Sequence, residues 1–455
     1  MTRALHFVGI GGIGMSAIAR ILLSRGERVT GSDNSDSPLL RELREAGATV
    51  YVGHDAKNVN GARAIVVSSA IDANNPEYRA AQERGIPIVR RGEMLAQMLN
   101  ERRGIAICGT HGKTTTTAMT SCILRASDID ASVVLGGIDV VTKTNAHDGT
   151  SPWFLSEADE SDGSFALLDP VIAVVTNVEN DHLASDDELP KLVGAFDEFL
   201  RKVPADGAAI IGVDNPHSAS LIENERSATT VTFGMTPQAM LHPSNLRFSG
   251  LTCTFDVISS GVCLGTLELE VPGEMNVVNA LGAIAVARAL EIPFVRIASA
   301  LRGFRGVRRR FEIVAQSPRM TIVDDYAHHP TAVRETIAAA RRYHRGPLIV
   351  AFQPHRYTRT AYLAKEFAQA LSGADIVYLA PVYAASEPAL PGVSERSIGE
   401  PLRERGVEVR YVGDVRELPQ RIPLDAPDGS LVLMLGAGNI TKIAHQLGAI
   451  LEVRV

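Results

Sequence analysis

The sequence predicts an α/β protein of three domains: an N-terminal Rossmann-like domain, a central phosphate-loop domain, and a C-terminal Rossmann-like domain. The central one is expected to hold an ATPase-type parallel sheet with a small antiparallel extension. Three observations carry this. Short apolar runs alternate with helical stretches along almost the whole chain, the pattern of a parallel sheet with crossover helices. Two glycine turns, Gly9 to Gly14 and Gly109 to Gly112, each follow an apolar run and open into a helix. The chain has 455 residues, too many for one core. The motifs place the domains at 1–103, 104–311 and 312–455.

Composition removes several classes. There are 45 basic and 52 acidic residues, a net charge of −7, which argues against a partner held by nucleic-acid phosphate. Apolar residues make up 45% of the chain, and no apolar run is long enough to span a bilayer. The chain enters a strand at Ala4 to Val8 without a basic, apolar and small-residue leader, so no export signal is expected and the location expected is the cytoplasm. The cysteines, Cys108, Cys122, Cys253 and Cys263, have no metal-ligand or redox spacing, which fits a reducing compartment. Cys108 reads as a small strand residue rather than a reactive thiol.

In the first segment, Leu5-His6-Phe7-Val8 runs into Gly9-Ile10-Gly11-Gly12-Ile13-Gly14 and a helix from Met15 to Ser24. A second strand, Arg28 to Thr30, ends at Ser32-Asp33. Gly9, Gly11 and Gly14 let a pyrophosphate approach the helix start, and Asp33 lies where a ribose-binding acid belongs. Alone, this fingerprint suggests an NAD-dependent oxidoreductase, but the fold binds many nucleotides. Ala64 to Val67 is a strand ending in Ser68-Ser69-Ala70, and Pro76 to Arg84 a helix. Pro87 to Val89 is a strand, followed by Arg90, Arg91 and a helix from Glu93 to Leu99. Ligands of a parallel sheet lie at the carboxyl ends of its strands. Ser68, Ser69 and Arg91 are therefore either ligand contacts or solvated loop residues.

The middle segment begins with the strand Ile105-Ala106-Ile107-Cys108, then Gly109-Thr110-His111-Gly112-Lys113-Thr114-Thr115 and a helix from Ala118 to Arg125. Backbone N–H groups there face phosphates, Lys113 adds a point charge, and a threonine hydroxyl can reach Mg²⁺. A second apolar strand, Trp153 to Leu155, delivers Glu157 to its end, where a carboxylate serves as the other ligand of nucleotide-bound Mg²⁺. Val171 to Val175 reads as a buried strand ending in Thr176-Asn177-Val178-Glu179-Asn180-Asp181-His182. His182 is either a metal or phosphate ligand or a structural hydrogen-bonder. Gly207 to Gly212 is a strand, and 228–271 reads as the antiparallel extension. Asn276 and Asn279 share a face of the helix opened by Gly273. Their amides can read an adenine edge, while Asn276 alternatively caps the helix. Gly303 to Phe311 is an arginine-rich linker able to clamp phosphates.

In the last segment, Met320 to Val323 is a strand ending in Asp324-Asp325-Tyr326-Ala327-His328-His329-Pro330, with a helix from Thr331 to Tyr343. Leu348 to Phe352 ends in Gln353-Pro354-His355-Arg356-Tyr357-Thr358-Arg359-Thr360. Further strands are Ile376 to Ala380, Val407 to Tyr411 and Leu431 to Leu435. The adjacent His328 and His329 are a poor pair for one metal ion, so nucleotide or substrate contact is preferred there. Arg356 and Arg359 are spaced to grip one carboxylate.

These motifs, in this order, resemble the Mur ligase family, and within it the alanine-adding branch. The pieces are Gly9 to Ser16, Gly109 to Thr115, Glu157 to Phe165, Thr176 to His182, Asn276 to Ala280, Asp324 to Pro330 and Phe352 to Thr360. The resemblance implies a cytoplasmic ligase of peptidoglycan synthesis that joins L-alanine to the lactyl carboxylate of UDP-N-acetylmuramate, with ATP giving ADP and phosphate. The first domain would then bind the UDP-sugar through Gly11, Gly12, Ile13, Gly14, Asp33, Ser68, Ser69 and Arg91, and no nicotinamide is needed. Gly109 to Thr115, Asn276, Asn279, Arg310 and Asp325 would bind ATP. Thr114, Glu157 and His182 would hold Mg²⁺, with Lys113 beside the phosphates. Tyr326, His328, Arg356 and Arg359 would hold the amino acid. The recycling ligase that attaches a preformed tripeptide usually has tyrosine where this chain has Ser161, which favours the alanine enzyme. Met275 stands where many members have histidine, a departure from the family pattern at one adenine contact. No lysine lies between Lys191 and Lys202, so no carbamylated lysine is expected. The chain is expected to act as a monomer or weak homodimer.

Overall fold

The apolar runs become strands, and the glycine turns and acids collect at their carboxyl ends. A computed structural model describes residues 3–160, 162–179, 188–385 and 387–453. His182, with Asn180, Asp181 and Ser161, lies outside the described residues. Five strands, β1 (Ala4–Val8), β2 (Val29–Asp33), β3 (Thr49–Val52), β4 (Ala62–Val67) and β5 (Ile88–Arg90), form an all-parallel sheet in the order β3-β2-β1-β4-β5. Chain order reverses on either side of β1, so the glycine turn after it opens at the switch point of the sheet. The helix after that turn starts at Ile13, two residues earlier than the apolar pattern suggests, because Gly12 already caps it.

The second sheet has ten strands, ordered β15-β14-β13-β12-β11-β10-β6-β9-β7-β8. They are β6 (Arg103–Cys108), β7 (Ser132–Val134), β8 (Ala146–His147), β9 (Trp153–Glu157), β10 (Ile172–Val175), β11 (Ala208–Gly212), β12 (Thr229–Phe233), β13 (Leu241–Ser249), β14 (Thr252–Ser259) and β15 (Val262–Leu269). β6 lies between β10 and β9, parallel to both, so the phosphate-type loop also opens at a switch point. β12 runs parallel to β11, so the antiparallel reading of 228–271 does not extend to it. Its side chains alternate in burial too weakly to show direction from sequence.

The third sheet has the order β16-β17-β21-β18-β19-β20, built from β16 (Glu312–Gln316), β17 (Met320–Asp325), β18 (Leu348–Phe352), β19 (Ile376–Leu379), β20 (Glu408–Tyr411) and β21 (Ser430–Leu435). Only its edge strand β16 is antiparallel. β18 and β21 are buried throughout, which is why they read as unbroken apolar runs.

By its internal contacts the chain forms two units: Met1–Ser244 with Asp256–Leu267 and Val278–Phe304, and Asn245–Phe255 with Glu268–Val277 and Arg305–Val455. In the first, one apolar cluster joins Leu95, Met98 and Leu99 of the helix Arg91–Asn100 to Phe165, Phe196 and Phe199. The Phe165 ring lies 5.1 and 5.5 Å from those of Phe196 and Phe199, pairs worth about 0.5–1.5 kcal/mol each beyond their burial. Gly92 is required here: a Cβ would stand 2.1 Å from the Ser164 Cβ. In the second unit, separate clusters line the two faces of the third sheet, around Val350 and Leu433 on one and Ile349 and Met434 on the other.

One polar network is buried in the first sheet. Glu77 is fully buried and accepts from Ser32 Oγ (2.5 Å) and Asn58 Nδ2 (2.6 Å), with His54 Nδ1 at 2.9 Å and His6 Nε2 at 3.6 Å. Burial works against its charge, but these hydrogen bonds outweigh burial and hold its pKa at about 2. Glu77 thus ties β1, β2 and the segment after β3 together beneath the glycine turn. None of the four cysteines forms a disulfide, and burial pushes the Cys108 thiol far up, as expected of a structural strand residue. Among the described residues no helix is long and apolar enough to cross a membrane.

Candidate active site

The loop after β6 is drawn tight by its neighbours. Gly109 has φ +120° and Gly112 φ +84°, conformations that side-chain-bearing residues avoid. A Cβ on Gly109 would meet Thr176 Oγ1 at 2.2 Å, and one on Gly112 would meet Asn279 Oδ1 at 2.3 Å. The end of β10 clasps the loop from outside. His111 N–H donates to Asn177 Oδ1 (2.9 Å), Asn177 Nδ2 returns a bond to His111 O (3.0 Å), and Thr176 Oγ1 donates to the same carbonyl (2.6 Å). Thr110 Oγ1 accepts from Glu179 N–H (2.8 Å). Asn279 of the helix Glu274–Ala289 also accepts from Thr116 Oγ1 (3.3 Å), so the structure brings it to the loop.

Lys113 is the first residue of the helix Lys113–Ala126, so its backbone belongs to the positive end of a helix dipole. Its ammonium donates to Gly109 O (2.5 Å) and Thr110 O (3.1 Å) and pairs with Glu160 at 2.8 Å. Burial opposes the charge on Lys113, but the Glu160 and Glu157 carboxylates outweigh it and raise its pKa. Thr114 Oγ1 donates to Glu157 Oε2 (2.8 Å), which also accepts from Gly136 N–H (3.1 Å). Two hard oxygen donors face one another here, a set that suits Mg²⁺. Thr115 is buried in the same turn.

The other glycine turn is built by different means. Gly11 N–H donates to Asp33 Oδ2 (2.9 Å), and Gly9 and Ile10 N–H both donate to Ser32 O. Arg91 begins its helix, rather than preceding it, and reaches over the turn: a Cβ on Gly14 would lie 3.4 Å from its Cδ and Nη1. Its Nη2 donates to Asp159 Oδ2 (3.0 Å) and Asp162 Oδ2 (2.9 Å). Asn145 Nδ2 donates to Ile13 O (2.7 Å) and Ser16 Oγ (2.9 Å) beside the same turn. Ser68 lies near Gly9, with Cβ 3.3 Å from a Cβ placed there, and Ser69 is exposed.

In the second unit, aromatic and basic side chains gather after β17 and β18. The rings of Tyr326 and His328 lie 4.9 Å apart, those of His328 and His355 5.7 Å, and those of His355 and Tyr383 5.7 Å. Arg309 and Arg310 lie over the Tyr326 ring at 4.7 and 5.1 Å. Arg359 is buried, its Nη1 3.4 Å from His355 Nδ1, while Arg356 is turned toward Glu387 at 4.0 Å. Arg356 has φ +69° and ψ 140°, a sparsely populated conformation that costs about 1–3 kcal/mol and turns the chain sharply into the helix Tyr357–Tyr362. Asp325 is buried and spends its carboxylate on the backbone N–H groups of Ala327 and Phe311, both at 2.7 Å. Asn276 sits inside its helix rather than capping it, and its Nδ2 donates to Pro272 O (2.7 Å).

Sequence reasoning gave no role to Gly136, Asn145, Glu160, Asn177, His355 or Tyr383. Asn177 and Glu160 stand in motifs read as strand-end polar clusters, so a signal existed for them. Gly136, Asn145 and Tyr383 reach their places through tertiary contacts, which leave no mark on local spacing.

Fold and loops together define a P-loop α/β protein with a second glycine cradle in a separate parallel sheet. Comparison with known proteins places it further. The profile of the Mur ligase family, catalytic domain, matches residues 4–103, the Mur ligase middle domain matches 107–287, and the Mur ligase, glutamate ligase domain matches 309–438. The chain belongs to the Mur ligase family. It is 44% identical to the UDP-N-acetylmuramate–L-alanine ligase of Acidithiobacillus ferrooxidans over 98% of this chain and 97% of that one. The same-named protein of Sorangium cellulosum is 42% identical over 99% and 97%. The crystal structure of the UDP-N-acetylmuramate-alanine ligase of Thermotoga maritima superposes with a TM-score of 0.87 at 30% identity, covering 100% of both chains. A murein peptide ligase of Psychrobacter arcticus, 23% identical with a TM-score of 0.76 over 98% of each chain, shares the fold.

Proposed function

We propose that this protein joins L-alanine to the lactyl carboxylate of UDP-N-acetylmuramate, converting ATP to ADP and phosphate, as a step of peptidoglycan synthesis. The observation that carries this reading is end-to-end similarity, 40–44% over at least 97% of the chain, to ligases bearing that name. The site chemistry agrees. A carboxylate acylates poorly, because its leaving group would be oxide. Attack of a carboxylate oxygen on the γ-phosphorus breaks the bond to the β-phosphate oxygen, releases ADP and leaves an acyl phosphate. The amine of alanine, as the free base, then attacks the acyl carbon. Phosphate departs, and the nitrogen loses a proton.

Each step draws on this chain's own groups. Amides of Gly109 to Thr115 cradle the ATP phosphates, and Lys113 offsets charge as the γ-phosphoryl moves. Thr114 and Glu157 suit Mg²⁺, with His182 as a further ligand. Bound there, Mg²⁺ would neutralise charge on the β- and γ-phosphates. Asn276, Asn279, Arg310 and Asp325 serve the rest of ATP. Gly11 to Gly14, Asp33, Ser68, Ser69 and Arg91 hold the UDP-sugar. Arg356 and Arg359 take alanine's carboxylate, and Tyr326 and His328, joined by His355 and Tyr383, form the walls. An acyl phosphate must be kept from water, which requires closure over the reacting groups. The reaction belongs to the cytoplasm, with the chain acting as a monomer or weak homodimer.

ADP release measured with UDP-N-acetylmuramate and a panel of amines tests this. Release is expected to require both substrates and to be fastest with L-alanine. Release without the UDP-sugar, or a preference for a preformed tripeptide over alanine, would contradict it.

A further inference from the structure

We propose that Asp159, Glu160 and Asp162 stand in for the phosphates of the two nucleotides, and that this one acid segment couples the two cradles. The inference rests on the proposed function, in which Lys113 serves ATP and Arg91 the UDP-sugar. An ammonium has three protons to donate, and all three of Lys113's are committed: to Gly109 O, Thr110 O and the Glu160 carboxylate. The pair is enclosed, with side chains 13% and 4% exposed. A phosphate can therefore engage Lys113 fully only by displacing one of these partners. Glu160 is the one that matches phosphate in charge and in acceptor geometry.

Arg91 repeats the arrangement at the other cradle. Its guanidinium lies along Gly14, where the diphosphate of the sugar nucleotide is placed, and its Nη2 is held by Asp159 and Asp162. Asp159 and Glu160 are neighbours in sequence, and backbone bonds tie both to the turn at Gly163–Phe165, from Gly163 N–H to Glu160 O and from Phe165 N–H to Asp159 O. Displacing Glu160 from Lys113 thus loosens the segment that holds Arg91, and the reverse holds equally. The second nucleotide has less to displace than the first, so each raises the affinity for the other by the same factor.

Calorimetric titration of the full chain with the Mg²⁺ complex of a non-hydrolysable ATP analogue tests this, with and without saturating UDP-N-acetylmuramate. In the unaltered protein the UDP-sugar is expected to tighten the analogue's Kd roughly fivefold or more. In Glu160→Gln the analogue alone should bind more tightly than in the unaltered protein, and the effect of the UDP-sugar should vanish. Asp162→Asn, which leaves the enclosed pair and the Asp159 contact in place, should bind the UDP-sugar more tightly and show weaker coupling. A residue of purely structural value would weaken binding when removed, not strengthen it. Absence of coupling in the unaltered protein, or its survival in Glu160→Gln, overturns the proposal. Lys113→Ala run in parallel separates the two readings. Analogue binding indifferent to Lys113→Ala defeats the assignment of the loop itself, whereas a clear loss beside an unchanged Glu160→Gln defeats only the coupling.

Discussion

Replacing Lys113 with alanine is expected to lower turnover about a thousandfold without weakening UDP-sugar binding. The ammonium stands at the start of the helix Lys113–Ala126, inside the turn set by Gly109 and Gly112. Charge on the transferred phosphoryl group grows toward its transition state, and a fixed, partly desolvated cation acts most strongly there. The UDP-sugar cradle belongs to a different sheet, so the substitution removes no group that holds that nucleotide, and the release of Glu160 favours its binding rather than opposing it. The fold should survive, because the change also releases Glu160, whose carboxyl burial already pushes toward its neutral form. Steady-state kinetics with a parallel binding titration of the UDP-sugar gives both numbers. Turnover within tenfold of the unaltered protein would remove Lys113 from the chemistry.

A single methyl group at Gly136 is expected to be nearly as damaging, with turnover falling about a hundredfold in Gly136→Ala. Gly136 follows β7 and its N–H holds Glu157 Oε2, the oxygen that faces Thr114. A Cβ there would lie 2.1 Å from Oε2 and 2.7 Å from the carboxyl carbon, so Glu157 must swing away. The three atoms nearest that methyl group all belong to the Glu157 carboxylate, so unfolding temperature should move by only a few degrees, equivalent to about 1 kcal/mol or less. The expected signature is lost activity with a raised Mg²⁺ requirement and an intact fold. Unchanged activity at limiting Mg²⁺ would show that Glu157 does not hold the ion.

What the sequence reveals and what it hides divide along a physical line. Strand ends are local: an apolar run followed by glycine, lysine and threonine announces the loop at Gly109 to Thr115, and an apolar run delivering an acid announces Glu157. Parallel order follows from the alternation of strands and helices, and the three sheets confirm it. The direction of a strand is not local, so the parallel course of β12, between β13 and β11, is hidden among polar and β-branched residues. Pairings between distant segments are also silent. Arg91 and Asp159 are 68 residues apart, and Asn145 and Ile13 are 132 apart. Arg91 reads as a ligand contact, yet it also pairs with Asp159 and Asp162, in the acid run that follows the metal-site candidate Glu157. Only the folded chain shows that both readings fall on one junction.

The central claim is that the chain activates an acid by phosphorylating it before an amine attacks. Oxygen labelling tests that claim most directly. UDP-N-acetylmuramate carrying ¹⁸O in its lactyl carboxylate is incubated with ATP, Mg²⁺ and L-alanine, and the released phosphate is weighed by mass spectrometry. The account predicts one labelled oxygen in each phosphate formed, because the oxygen bridging carbon and phosphorus leaves with phosphorus. Unlabelled phosphate accompanying amide formation would contradict it.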